Sequence, residues 1–177
     1  MSSSKTLVVF YSRSGTTRRI AQALSEALKC DLEEITEPRP RTGFLGYMRS
    51  LLEARRKLPS IITPRKRDVS SYDLVIIGTP VWAWSLSSPV RAYLTATAGQ
   101  LPEVAFFCTL GARGSESTFA QMTAVVGKRP RAVCAITRHE ASSPSYVERL
   151  TAFEKALAEN HYLSGEQRWK AHHSASG

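Results

Sequence analysis

The sequence predicts a three-layer α/β sandwich, doubly wound around a five-stranded parallel sheet. Three observations carry that expectation. The runs Leu7–Tyr11, Leu74–Gly78 and Val104–Cys108 are apolar throughout and of strand length, the pattern of strands buried on both faces. The stretches between them carry apolar residues at helical spacing. Strand and helix signals also alternate along the chain, which is the order of βαβ units.

Taken in order, Leu7–Tyr11 is the first strand, and Ile20, Ala21, Leu24, Ala27 and Leu28 place a helix that runs to about Lys29. Leu32 to Ile35 is a short second strand, after which Pro38 and Pro40 break the chain. Phe44, Leu45, Met48, Leu51 and Leu52 form an amphipathic stripe that Pro59 ends. The strand Leu74–Gly78 leads into a loop, and Pro89 opens the next helix with Val90, Tyr93 and Leu94 on its apolar face, proline being suited to a first helical turn. The strand Val104–Cys108 is followed by the loop Thr109 to Ser115 and a helix marked by Phe119, Met122 and Val126. Ala132 to Ile136 is the last strand, and Val147, Leu150, Phe153, Ala156 and Leu157 mark the last helix.

A chain of 177 residues, 42% hydrophobic and 22% charged, suits one domain with a sizeable core. The domain is expected over residues 1–162, with a polar, mobile tail over 163–177. No apolar run approaches the ~20 residues of a membrane-spanning helix. The polar opening Met1–Thr6 lacks the charged start and long apolar stretch of a signal peptide. Three cysteines, Cys30, Cys108 and Cys134, include no C-x-x-C pair, so neither a disulfide framework nor a thiolate zinc site is expected. His139, His161, His172 and His173 are scattered or terminal, and no metal site is expected. A cytoplasmic location follows as an expectation.

The net charge is +9, and it is concentrated. Between Arg39 and Arg67 lie nine basic residues and one acid, Glu53, so this segment alone carries +8. The favoured reading is a solvated surface helix with flanking loops, and the alternative is a face that attracts acidic partners, phosphates or lipid headgroups. No zinc spacing or RNA-binding strand signature accompanies it, so a nucleic-acid partner is not expected.

In open parallel sheets ligands bind beyond the carboxyl ends of the strands, where the strand order reverses. Three loops are therefore the candidate site. Ser12-Arg13-Ser14-Gly15-Thr16-Thr17 opens a helix, whose free amides and dipole suit a phosphate; the same residues also fit an ordinary helix cap. The loop has neither the G-x-x-x-x-G-K-[ST] spacing of nucleoside triphosphate sites nor G-x-G-x-x-G. Thr79-Pro80-Val81-Trp82-Ala83-Trp84-Ser85 places two tryptophans at a strand end, a platform for a flat aromatic ligand or a lid over the core. Thr109-Leu110-Gly111-Ala112-Arg113-Gly114-Ser115 offers close-approach glycines and backbone donors.

Together these features resemble the flavodoxin family. Ser12 to Thr17 matches its phosphate signature, Tyr72 to Trp82 resembles the strand and flavin loop of a short branch, and Phe106 to Gly114 its second flavin loop. Gly43-Phe44-Leu45-Gly46-Tyr47 resembles an inserted helix of that branch, and the likeness runs over residues 5–160 in order. The resemblance implies the flavodoxin-like strand order 2-1-3-4-5 and one non-covalent FMN. Ser12, Ser14, Gly15, Thr16 and Thr17 would hold its phosphate, with Arg13 adding charge. Its ring would lie between Thr79, Pro80, Val81, Trp82, Ala83 and Trp84 on one side and Thr109, Leu110, Gly111, Gly114 and Ser115 on the other. The chain differs from the family's acidic carriers in a pI near 9.8, and no glycine lies between Thr79 and Leu86.

The expected function is electron transfer through FMN, with a redox partner protein or a small quinone-like acceptor. No catalytic side chain is expected, because the flavin carries the chemistry. The alternatives are an NAD(P)H-dependent, FMN-containing quinone or flavin reductase, and a non-redox, phosphate-anchored interaction domain that docks through its basic face.

Overall fold

The computed structural model describes residues 4–38, 61–63 and 66–159. The basic stretch from Arg39 to Ser60, with its amphipathic stripe and the Gly43–Tyr47 motif, lies outside the described residues, as do Pro64, Arg65 and the tail expected over 163–177.

The described chain folds as expected. Strand β1 (Thr6–Phe10) leads into helix α1 (Thr16–Leu28), and β2 (Asp31–Glu34) follows. A short 3₁₀ turn, Val69–Ser71, precedes β3 (Leu74–Trp82), and β4 (Ser85–Leu86) turns straight back on it. Then come α2 (Ser88–Thr97), β5 (Glu103–Leu110), α3 (Ser115–Val126), β6 (Val133–Thr137), the single turn α4 (Arg138–Ala141) and α5 over residues 146–159. Five strands pair in parallel in the order β2-β1-β3-β5-β6. Counting only these long strands, that is the 2-1-3-4-5 order the resemblance implied.

The sheet divides its side chains because successive strand residues point to opposite faces. Leu7, Val9, Val75, Ile77, Val104 and Phe106 face one layer, with Val90, Tyr93, Leu94, Met122 and Val126 of α2 and α3. Val8, Phe10, Ile76, Ala105 and Phe107 face the other, with Ile20, Ala21 and Leu24 of α1 and Leu150, Phe153 and Leu157 of α5. Both faces are covered, which is why the strands read as unbroken apolar runs. Gly78 has no side chain because the Phe107 ring occupies that space; a Cβ there would lie 2.0 Å from Phe107 Cζ.

Three expectations need correction. The stretch after Gly78 is strand rather than loop: β3 continues to Trp82 and forms a two-residue hairpin with β4, pairing Val81 with Leu86 and Trp82 with Ser85. Pro80 is tolerated there because the β1 ladder stops at Phe10, opposite Gly78, and β4 pairs only from Val81 onward, so the missing amide breaks neither ladder. Ala27 is exposed while Ser25 is buried, its hydroxyl donating to the Gln22 carbonyl at 2.9 Å. Val147 is 52% exposed, since α5 turns Leu150 and Phe153 inward instead. No described helix is long and apolar enough to cross a membrane.

Candidate functional site

At the carboxyl ends of β1, β3 and β5 the molecule has an open cleft of about 190 Å³. The order of strands reverses between β1 and β3, so the cleft lies at the switch point where doubly wound sheets receive ligands. Arg13, Ser14, Thr16, Thr17, Pro80, Val81, Trp82, Ala83, Thr109, Leu110, Gly111 and Arg138 line it. All three loops read from the sequence therefore meet in one place.

The hydroxyl loop is prepared for an anion by what it leaves undone. Gly15 is the residue before α1, with φ 91°, and no side chain caps the helix. Ser12 Oγ is engaged locally, accepting the Gly15 amide at 3.1 Å. The uncapped first-turn amides of α1 point into the loop with the positive end of the helix dipole behind them. Thr17 and Thr109 share a buried hydroxyl–hydroxyl hydrogen bond of 2.8 Å, which ties the first loop to the end of β5.

The opposite wall is the β3–β4 hairpin. Trp82 is 8% exposed, and its indole meets Tyr11 edge-on, with ring centroids 5.7 Å apart and planes at 89°. The Tyr11 hydroxyl in turn donates to Glu37 at 2.9 Å. Trp84 is 69% exposed and stands outside the cleft at the hairpin tip. The turn residues Ala83 and Trp84 both have positive φ, 47° and 58°, the left-handed geometry of a two-residue hairpin turn and one that side chains with a Cβ resist. Behind the turn, Ser85 Oγ donates to Gln121 Oε1 at 2.7 Å, and Arg91 donates to the same oxygen. Arg91 is buried, and that desolvation lowers its pKa.

Six predicted site residues do not line the cleft. Ser12 and Gly15 shape the first loop from behind. Thr79 is fully buried, bonded to Ser87 Oγ at 2.9 Å at the start of α2. Trp84 and Gly114 pack together: Gly114 has φ 106°, and a Cβ there would lie 2.8 Å from the Trp84 Cα. Its close approach is thus to the hairpin, and Ser115 begins the helix behind it. Gly111, which does line the cleft, has open space where a Cβ would be.

Sequence reasoning missed Arg138. The signal was present, since Arg138 directly follows the last apolar strand, but the expectation covered only the loops after the first, third and fourth long strands. The cysteines are placed as small hydrophobes. Burial pushes the Cys108 and Cys134 thiols up to about 12 and about 11, and Cys30, also desolvated, to about 11, which leaves almost no thiolate at neutral pH.

Fold and cleft define a doubly wound α/β protein with an anion-ready strand-to-helix loop facing an aromatic hairpin. A family model described as Flavodoxin matches residues 5–132, and the chain belongs to the flavodoxin family. Among solved structures it is similar to a flavoprotein of Lactobacillus acidophilus in complex with FMN, at 22% identity and TM-score 0.64, over 78% of this chain and 95% of that one. A flavoprotein from Bacteroides eggerthii is 22% identical with TM-score 0.72, over 88% of this chain and 98% of that one. A third, from Bacteroides uniformis, is 20% identical with TM-score 0.63, over 77% and 94%. No curated protein matches the sequence.

Proposed function

We propose that this protein binds one FMN in the cleft and transfers electrons through it. The observation that carries the reading is the uncapped start of α1, with Ser14, Thr16 and Thr17 at the cleft, opposite a hairpin that offers Trp82, Val81 and Pro80. One end suits a phosphate and the other a flat ring. Membership of the flavodoxin family and the FMN-complexed neighbour support the same ligand.

Bound there, FMN supplies one- or two-electron transfer. The chain's part is to hold it. The α1 amides and the hydroxyls of Ser14 and Thr16 receive the phosphate, with Arg13 adding charge. Backbone from Thr109 to Gly111 meets one edge of the ring, and Trp82, braced by Tyr11, limits water at the other.

Titrating the protein with FMN and with riboflavin, followed by quenching of tryptophan fluorescence, tests the reading. FMN binds more tightly, and Ser14→Ala with Thr16→Ala weakens FMN by roughly 1.5–3 kcal/mol for each charge-assisted hydrogen bond removed, leaving riboflavin unaffected. Equal affinity for both flavins in the wild type removes the phosphate role. Adding NADH or NADPH to the FMN form then separates two activities: a carrier keeps its colour without a partner protein, whereas a reductase bleaches at once.

A further inference from the structure

Arg138 is a cation from outside the three loops. It lines the cleft together with Arg13, Ser14, Thr16 and Thr17, although it comes from the far edge of the sheet. Its location follows from the register. Leu110 of β5 pairs with Thr137 of β6, and Thr109, one residue back, bonds to Thr17 in the first turn of α1. Arg138 follows Thr137 directly, and so reaches the cleft beside the hydroxyl loop.

Its backbone is held by the residues around it. Thr137 Oγ1 accepts the Glu140 amide at 3.2 Å, while Glu140 Oε2 accepts the Thr137 amide and hydroxyl, each at 2.8 Å. The other oxygen of Glu140 accepts from Arg149 Nε at 2.7 Å. The nearest acid in sequence is therefore fully engaged on Thr137 and Arg149. Among the described residues no carboxylate pairs with the Arg138 guanidinium, whereas Arg18, Arg67, Arg131 and Arg149 each have one.

A guanidinium with no carboxylate partner among the described residues, carried on a capped turn and lining the same cleft as an anion-ready loop, fits a group with several acceptor oxygens. We propose that Arg138 is the phosphate-selecting residue of the cleft: it donates to the dianionic phosphate monoester held by the first loop, and so sets the preference for FMN over uncharged riboflavin. This rests on the FMN reading above and adds to it a residue from outside the three loops. Because Arg138 is exposed, its contribution is screened by salt.

The test compares FMN and riboflavin affinities in the wild type, Arg138→Gln, Arg138→Lys and the control Lys155→Gln, at low and high salt. Lys155 lies on α5 in an exposed pair with Glu159 and does not line the cleft, so its variant reports on net charge alone. Arg138→Gln is expected to weaken FMN about tenfold at low salt, with riboflavin unchanged and the gap narrowing at high salt. Arg138→Lys shows part of that weakening and Lys155→Gln none of it. FMN affinity unchanged in Arg138→Gln, or both flavins weakened equally, overturns the assignment while leaving FMN binding intact. A wild type that binds neither flavin overturns the FMN reading and this assignment together.

Discussion

Gly114, packed on Trp84, and Ala83, beside it in the turn, have opposite needs. Gly114, at φ 106°, touches the backbone of Trp84, so Gly114→Ala adds a left-handed penalty of ~1–2 kcal/mol and a clash that only moving the turn relieves. The expected outcome is a drop of about 2–3 kcal/mol in urea unfolding together with weakened flavin binding, because Ala83 and Trp82 shift with the turn. Ala83→Gly is expected to be neutral or slightly stabilising, since glycine adopts φ 47° without strain while loosening the unfolded chain. A Gly114→Ala protein with wild-type stability and affinity would show that the hairpin tip is soft.

Helix α4 is only four residues long, yet it is locked by a capping box between Thr137 and Glu140. Hydrogen bonds from the Thr137 amide and hydroxyl, then from Arg149, hold the Glu140 carboxyl down to about 2. A carboxyl depressed in the folded state stabilises it fully above the unfolded value of ~4.3, and that contribution disappears as pH falls toward 2. Glu140→Gln therefore flattens the acid limb of the stability curve between about pH 4.5 and pH 2, and lowers stability at neutral pH. Thr137→Ala removes the cap, at a cost of about 1 kcal/mol. Both variants are read by thermal unfolding across pH, and an unchanged acid limb in Glu140→Gln would mean the box is not maintained in solution.

Across the whole molecule, the central strands of the sheet are coupled where Gly78 of β3 accepts the ring of Phe107 from β5. Phe107 is fully buried, so Phe107→Ala is expected to cost about 3–5 kcal/mol. Gly78→Ala drives a methyl into a ring that cannot yield, at about 1–3 kcal/mol. Because the two residues share one space, Gly78→Ala combined with Phe107→Leu is less destabilised than the sum of its parts. Additive effects in a double-mutant cycle would show that the ring moves aside.

The layers, the five parallel strands and the three candidate loops were legible from local pattern. Apolar runs such as Leu74–Ile77 report burial on both faces, helical spacing reports one buried stripe, and Ser12–Thr17 after a strand marks a helix start. These properties depend on neighbours in the chain. The hairpin was not legible, because Ala83–Trp84 contains neither the glycine nor the asparagine that marks such turns; Gly114, about thirty residues on, makes room for it. Arg138 was missed for a related reason. Its place beside the first loop comes from the pairing of β6 with β5 and the bond between Thr109 and Thr17. No local periodicity encodes such contacts, since they bring together segments more than twenty residues apart whose distance is set only when the strands take their order in the sheet.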